Sequence, residues 1–171
     1  MRVSVIGCSG AGKTTFGRAL AARLGVQFVE LDSIFHQAGW TPLPDDEFRA
    51  RVREATEPDG WVVDGNYSVA REIVLERAST VVWLDYPRPW IMQQVIRRSV
   101  GRGVTRRELW NGNRENPREW LNADHPIRWA WSQHARKRVE YEARFLDPRY
   151  DHIDVHRFRG PGAARAWLRT I

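Results

Sequence analysis

The chain has 171 residues, of which 42% are hydrophobic, and a formal net charge of +6. This length and composition predict a single folded domain, residues 1–171, and exclude a disordered chain. Apolar runs stay short of the ~20 residues that span a bilayer, so we expect no membrane segment. Cys8 is the single cysteine, which excludes an intrachain disulfide and a cysteine-based zinc site. The first motif begins at residue 7, too early for a removable signal, and we expect a cytoplasmic protein.

Strand-like and helical patterns alternate along the chain. Short β-branched runs predict strands at 3–6, 28–31, 61–63, 81–84 and 153–158. Between them, apolar residues recur at helical spacing. This alternation is typical of an α/β fold with a parallel sheet covered by helices on both faces.

The predicted helices have recognisable starts. Asp45 is a candidate N-cap for a helix that carries Phe48 and Val52 on one face. Ser68 is a candidate cap for a short helix ending near residue 78. Further helices are predicted over 87–100, over 126–146 and after Pro161; the apolar positions of the helix over 126–146 include Trp131, Ala135, Val139 and Leu146.

Residues 7–14 read Gly-Cys-Ser-Gly-Ala-Gly-Lys-Thr, which matches the phosphate-binding P-loop pattern. The motif lies between a predicted strand and a predicted helix, where its backbone N–H groups and the helix N-terminus favour an anion. Lys13 is placed to reach the β- and γ-phosphates of a nucleotide, and the Thr14 hydroxyl to bind Mg²⁺. The alternative is a chance glycine-rich turn, which the two correct flanks disfavour. The motif therefore predicts a nucleoside triphosphate site.

Acidic residues follow three of the predicted strands, namely Asp32, Asp64 and Asp85. Ligands of parallel sheets bind at the carboxyl ends of the strands. A carboxylate there is placed to hold Mg²⁺ through water or to accept a proton from an attacking hydroxyl. The structural alternative for each residue is a turn or helix-cap aspartate.

Residues 102–125 interrupt the alternation with a polar stretch rich in Gly, Asn and Arg. Residues 97–118 contain seven arginines and two glutamates, a net charge of +5. Phosphoryl transfer needs positive charge around the transferred group, so the segment predicts a lid over the phosphates. A solvated basic loop is the alternative. The candidate arginines are Arg98, Arg102, Arg106 and Arg107, although Arg97 and Arg98 also suit the end of a helix, where cations favour the dipole.

Other candidates lie closer to an acceptor. Arg49 and Arg53 are four residues apart on one helix, and either hold an acceptor phosphate or face water. Trp40 lies in a loop and is a candidate for stacking on a planar substrate. The five histidines lack metal-ligand spacing and are interpreted as non-catalytic.

Together these segments resemble the adenylate-kinase-like P-loop family. The resemblance rests on residues 7–14, Leu-Asp at 31–32, Val-Asp-Gly-Asn-Tyr at 63–67, Leu-Asp-Tyr-Pro at 84–87 and the arginine-rich segment. More narrowly, the chain is similar to the FlaR-like "DNA topology modulation" group, which shares a Leu-Asp segment leading to Gly-Trp and the Asp-Gly-Asn-Tyr turn. The arginine that follows this turn in adenylate kinases falls at Ser68 here, and Arg71 is a candidate substitute.

The resemblance implies a P-loop NTPase fold of three αβα layers, with a five-stranded parallel sheet in the order 2-3-1-4-5 and an arginine-rich lid. It also implies ATP and Mg²⁺ as cofactors, an acceptor region near residues 33–60 and a lid near 102–125. Asp64 then organises the metal together with Thr14, and Arg157 lies in a loop that packs against adenine. The implied nucleotide-binding residues are Gly7, Ser9, Gly10, Ala11, Gly12, Lys13, Thr14, Thr15 and Arg157.

The leading hypothesis is a kinase that transfers the γ-phosphate of ATP to a nucleotide or another small acceptor. The predicted catalytic residues are Lys13, Asp32, Arg98, Arg102 and Arg106. One alternative is a regulatory nucleotide binder with slow ATP hydrolysis. The other is a nucleic-acid-associated protein that acts through the basic segment. The sequence indicates neither the acceptor nor an oligomeric state.

Overall fold

The computed structural model describes residues 1–105, 108, 110–113 and 126–171, with side chains for all of these except 100, 102–105 and 126–130. Its five strands are all parallel and pair in the order β2-β3-β1-β4-β5. The predicted sheet and its order are therefore confirmed. The strands are β1 (Arg2–Gly7), β2 (Gln27–Glu30), β3 (Trp61–Asp64), β4 (Thr80–Leu84) and β5 (Asp154–Phe158).

Helices connect the strands and cover both faces of the sheet. They are α1 (Lys13–Leu24), α2 (Leu31–Phe35), α3 (Asp45–Ala55), α4 (Arg71–Arg77), α5 (Arg88–Thr105), α6 (Pro126–Arg144) and α7 (Pro161–Thr170). Short 3₁₀ turns lie at Ala38–Trp40, Ser68–Ala70, Trp110–Gly112 and Pro148–Tyr150. In the described parts of the chain, none of the helices combines the length and apolar character that a membrane crossing requires.

The strands divide their side chains between two cores because successive residues point to opposite faces. On one face, Val5 and Val82 pack with Leu20 of α1, Ile91 of α5 and Ala164 of α7. The opposite core holds the following buried residues of β3, β4, α3, α4 and α6: Trp61, Val63, Trp83, Phe48, Val52, Val74 and Tyr141. Burial of each large apolar side chain favours folding by about 1.5–3 kcal/mol, so both helix layers are anchored to the sheet.

Two details of the predicted helices are wrong. Pro44 is the N-cap of α3, whose helical residues begin at Asp45, and its fixed backbone angle suits a helix start. The N-cap of α4 is Ala70 and not Ser68, which lies in the preceding 3₁₀ turn.

In α6, the apolar residues Trp131 and Val139 point outward, with exposed fractions of 58% and 65%. The opposite face of α6 contacts the sheet instead, through Tyr141, whose ring meets that of Trp83 edge to face at 5.6 Å.

Helix α5 continues to Thr105, well beyond its predicted end at residue 100. Arg97 and Arg98 are therefore in the middle of a helix, and the explanation that they cap its C-terminal dipole does not apply. The first residues of the predicted lid, 102–105, are also helical. Most of the predicted lid lies outside the described residues.

Candidate active site

The phosphate loop connects the central strand of the sheet to the helix that follows it. Strand β1 ends at Gly7 and α1 begins at Lys13, with Gly12 as its N-cap. Gly10 has a φ of +88°, and a Cβ there would lie 2.4 Å from Cγ2 of Val95 in α5. Only glycine fits this position, so α5 is packed directly against the loop.

The predicted nucleotide-binding residues of the loop lie together around one concave turn. The Ala11 N–H donates to the Cys8 carbonyl over 3.1 Å, which closes the turn. The Lys13 ammonium donates to the same carbonyl over 3.4 Å, and Thr15 is exposed on the first turn of α1. The loop therefore has the shape, the charge and the helix N-terminus that a polyphosphate needs.

Thr14 and Asp64 form the tightest polar contact at the loop. The Thr14 hydroxyl donates to Oδ2 of Asp64 over 2.5 Å, joining the start of α1 to the end of β3. Asp64 is 4% exposed, and burial raises the pKa of its carboxyl; Lys13 and the Thr14 hydrogen bond act against that rise, while Asp32 and Glu30 add to it. The cost of burying this carboxylate therefore outweighs the stabilisation that Lys13 and Thr14 give to its charge.

This pair fits Mg²⁺. Magnesium prefers oxygen ligands, and its sites commonly use one or two protein groups together with phosphate oxygens and water. Thr14 and Asp64 supply such a hydroxyl and carboxylate, and a divalent cation would relieve the burial of the Asp64 charge. Among the described residues no cluster of three or more His, Cys, Asp or Glu side chains exists that would make a protein-only metal cage.

Asp32 lies on α2, one residue beyond its start, and belongs to a second hydrogen-bonded group. The Tyr67 hydroxyl donates to Oδ1 of Asp32 over 2.7 Å, and Nε2 of His36 lies 3.3 Å from the same hydroxyl oxygen. Because Tyr67 gives its single proton to Asp32, Nε2 of His36 must be the donor in the second contact. Burial lowers the pKa of His36, against the opposing charge of Asp32, which favours this neutral form.

Arg98 is the predicted catalytic arginine that the structure brings to the loop. Its guanidinium Nη2 donates to the Ser9 hydroxyl over 3.2 Å, from the third turn of α5. The side chains of Arg102 and Arg106 lie outside the described residues. Their roles therefore stay predictions, and so does that of the remaining lid.

Asp85, the third strand-end carboxylate, is occupied by structural contacts. Its Oδ2 accepts from Arg157 at 2.7 and 2.9 Å and forms an ion pair with Arg138 at 3.1 Å. The resemblance placed Arg157 in a loop after the last strand, but the residue is part of β5. Its guanidinium also stacks over the Trp83 ring at 4.0 Å. Asp85 therefore holds α6 and β5 together, and an adenine contact by Arg157 stays a prediction.

The turn after β3 supplies residues that sequence reasoning had not assigned. Asn66 donates its amide to the Gly7 carbonyl over 2.6 Å and so fixes the start of the phosphate loop. Gly65 has a φ of +148°, and a Cβ there would lie 2.7 Å from that of Leu31. Tyr67 connects to Asp32 as described, and His36 was interpreted as non-catalytic. The Asp-Gly-Asn-Tyr string was the available signal, but its partners are distant in sequence.

Cys8 does not lie at the N-terminus of α1, which begins at Lys13. A position at a helix N-terminus would favour the thiolate. Cys8 is instead buried five residues before α1, and burial raises the pKa of its thiol despite the nearby Lys13. The side chain is part of the apolar core, where a small residue fits.

The order of the parallel sheet and the phosphate loop at its central strand define the class of P-loop NTPase folds. Sequence comparison narrows this class. The family model described as Shikimate kinase matches residues 9–45. The shikimate kinase of Corynebacterium efficiens is 30% identical over 170 residues, covering 92% of this chain and 85% of the relative. The shikimate kinase of Symbiobacterium thermophilum is 32% identical over 127 residues, covering 66% of this chain and 71% of the relative.

Solved structures show the same fold. Shikimate kinase from Acinetobacter baumannii in complex with shikimate superposes with a TM-score of 0.58 at 22% identity, covering 98% of this chain and 88% of that one. Shikimate kinase from Aquifex aeolicus gives a TM-score of 0.57 at 15% identity, covering 99% of this chain and 92% of that one.

The chain belongs to the shikimate kinase family. ATP and Mg²⁺ are the cofactors of this family, which confirms the prediction of both. The resemblance to adenylate kinases is one of fold, and the comparisons give no support to the FlaR-like group in particular.

Proposed function

We propose that this protein transfers the γ-phosphate of ATP to a hydroxyl of shikimate, or of a hydroxylated carboxylic acid of similar size. The proposal combines the family membership with the arrangement of the site. Nucleotides as acceptors and nucleic acids as partners have no support from the relatives.

The observation that carries the proposal is the presence of two carboxylates with separate partners beside one phosphate loop. Asp64 is bound by Thr14 of the loop itself, whereas Asp32 is bound by Tyr67 and lies toward residues 33–60. The two are close enough for the Asp32 charge to raise the pKa of Asp64. One carboxylate is therefore suited to a metal and the other to the acceptor.

In the proposed reaction, Asp32 accepts the proton of the acceptor hydroxyl as that oxygen attacks the γ-phosphorus. The bond from the γ-phosphorus to the β–γ bridging oxygen breaks, and the products are ADP and the phosphorylated acceptor. The hydrogen bond from Tyr67 orients the Asp32 carboxylate. The second carboxylate oxygen is then available to the acceptor.

Two cations stabilise the negative charge that spreads over the transferred group. Lys13 acts from the loop, and Arg98 acts from α5 beside Ser9. Thr14 and Asp64 would hold Mg²⁺, which supplies charge neutralisation of the β- and γ-phosphates when bound.

Arg49 is proposed to bind the acceptor carboxylate. It is half-buried on α3, next to Phe48, whose ring packs against that of Tyr67 at 5.2 Å. Its present contacts are weak: a 3.4 Å hydrogen bond to the Val69 carbonyl and a 3.2 Å ion pair with the exposed Asp46. A planar guanidinium with so few strong partners is suited to a carboxylate ligand.

The test is a panel of acceptors with ATP and Mg²⁺, read by ADP release and by mass analysis of the product. Shikimate should be phosphorylated, and nucleoside monophosphates should not. Arg49→Ala should raise the KM for shikimate by about tenfold or more, as expected for loss of a charge-assisted hydrogen bond. Arg53→Ala is the matched control, because Arg53 is exposed on the same helix.

The outcomes separate the alternatives. Turnover that no acceptor stimulates would indicate a regulatory ATP-binding protein instead of a kinase. Preferential phosphorylation of a nucleotide would overturn the acceptor class. Equal shikimate KM values for the Arg49 and Arg53 variants would remove Arg49 from the acceptor site.

A further inference from the structure

Residues 110–113 form a short segment that contacts the part of the chain predicted to bind the acceptor. It falls within the stretch predicted as a phosphate lid, and it is far in sequence from the predicted acceptor region at 33–60. In the structure it contacts α2 and the loop that follows, residues 36–41, here called the acceptor loop.

Asn113 binds the acceptor loop with both ends of its side chain. Its Nδ2 donates to the Gln37 carbonyl over 2.9 Å, and its Oδ1 accepts the backbone N–H of Trp40 over 2.9 Å. Asn113 is buried, with 5% of its surface exposed. Buried backbone groups are costly to leave unpaired, so this side chain determines the shape of the loop.

The geometry of the loop explains why it needs such support. Gly39 and Trp40 both have positive φ, of +69° and +59°. The left-handed region is unfavourable for a bulky side chain such as that of Trp40. The conformation persists because its surroundings hold it, and the hydrogen bond from the Trp40 N–H to Asn113 is one of those constraints.

Two other residues of the segment reach the same area. Asn111 donates its side-chain amide to the carbonyls of Ser33 and His36. The Trp110 ring stacks on His36 with centroids 5.9 Å apart and meets Trp40 edge to face at 6.3 Å. His36 in turn contacts the Tyr67 hydroxyl that orients Asp32.

We propose that residues 110–113 are part of the acceptor site, with Asn113 as a positioning residue for the acceptor loop and Trp110 as a supporting wall for His36 and Trp40. The proposal builds on the proposed function, in which Asp32 and the neighbouring residues 33–60, including the acceptor loop, face the acceptor.

The test compares Asn113→Asp with Gln27→Glu. The aspartate keeps an oxygen for the Trp40 N–H but places a second oxygen against the Gln37 carbonyl. Gln27 also donates a side-chain amide to a backbone carbonyl, that of Ala55, but at the opposite end of the sheet, which makes it a matched control. The readouts are KM for shikimate, KM for ATP, and backbone hydrogen exchange over residues 33–41 and over α1.

Asn113→Asp should raise the shikimate KM and speed exchange over 33–41 by about tenfold each, with the ATP KM and exchange in α1 within about twofold of wild type. Gln27→Glu should leave both KM values and both exchange rates unchanged. Unchanged exchange over 33–41 in Asn113→Asp, or parallel rises of both KM values, would overturn the proposal.

If Asn113→Asp does not fold, Asn111→Gly serves instead, because Asn111 is exposed and glycine tolerates its φ of +54° while it removes the side-chain donor to Ser33 and His36. If the wild-type protein fails to phosphorylate shikimate, the proposed function fails, while the exchange comparison still decides the role of the segment.

Discussion

Folding and metal binding favour opposite protonation states of Asp64. Folding favours a neutral side chain in its buried position, since burial raises the pKa of its carboxyl. Metal binding requires the ionised form. The folded protein without metal therefore binds a proton at Asp64 more readily than the unfolded chain does. Its stability accordingly falls as pH rises through the interval between the two pKa values.

Asp64→Asn should separate these requirements. The amide keeps the shape and an oxygen for the Thr14 hydroxyl, so the metal-free variant should have a higher Tm than wild type at neutral pH. Its turnover should fall, most strongly at limiting Mg²⁺. Thermal unfolding without metal and a Mg²⁺ titration of turnover test both effects. A variant with the wild-type Mg²⁺ titration curve would remove Asp64 from the metal site.

Lys13→Ala should reduce turnover by about 10²–10³-fold, or about 3–4 kcal/mol, as expected for loss of one charge that stabilises a transition state. The fold should persist because, among the described residues, the only hydrogen bond of the lysine side chain is the long one to the Cys8 carbonyl. Steady-state turnover and circular dichroism measure the two effects. Normal turnover in a folded variant would show that catalysis does not depend on this loop.

Helix α6 is held by charges at its inner face. Glu140 accepts from Arg144 at 2.8 Å and forms ion pairs with Arg71 at 3.2 Å and Lys137 at 3.1 Å. Burial opposes ionisation of Glu140, but these hydrogen bonds and charges outweigh it and lower its pKa to about 2. Glu140 is the anion that allows three cations to approach one another.

Glu140→Gln should destabilise the protein by about 1 kcal/mol at pH 7, because the side chains are partly exposed and solvent screens the charges. The depressed pKa means that this contribution is present above about pH 4 and is lost as pH falls toward 2. Denaturant unfolding of both proteins over this range gives the comparison. A difference in stability that persists unchanged at the acid end would contradict an electrostatic origin.

The elements show which parts of the structure could be predicted. The strands and the phosphate loop could be predicted from sequence, because each is a local pattern of β-branched residues or glycines. The orientation of α6 could not. Its apolar residues Trp131 and Val139 are exposed, while Glu140 pairs with Arg71 and Arg138 pairs with Asp85, partners that the linear sequence does not reveal.

In the candidate site too, residues in local sequence patterns could be predicted, whereas contacts between distant residues could not. Lys13, Thr14 and Asp64 were assigned from a motif and a strand end, and the structure brings them together. The contacts of Tyr67 with Asp32, of Arg98 with Ser9 and of Asn113 with Trp40 join residues 35, 89 and 73 positions apart. Such pairs depend on how the helices pack. A single sequence gives no measure of that packing.

At the scale of the whole molecule, a nucleotide binds to the folded protein but not to the unfolded chain, so it should raise Tm. A non-hydrolysable ATP analogue with Mg²⁺ at about 100 times its Kd adds about 2.7 kcal/mol of stability. For a domain of this size that corresponds to a Tm increase of roughly 5–10 °C. Thermal scans with and without the analogue test this, and Lys13→Ala should show a smaller increase.

The order of strands in the sheet has a consequence for synthesis on the ribosome. Strand β1 is made first, yet its two neighbours are β3 and β4, so its ladder is complete only after residue 84 has emerged. Until then β1 has only β3 as a partner, and its other edge, beside the phosphate loop, stays unpaired. Such non-local pairing is slow and leaves strand edges open to aggregation. Nascent chains that end before residue 80 should therefore depend on chaperones and fail to retain nucleotide, whereas chains that include β4 should begin to fold.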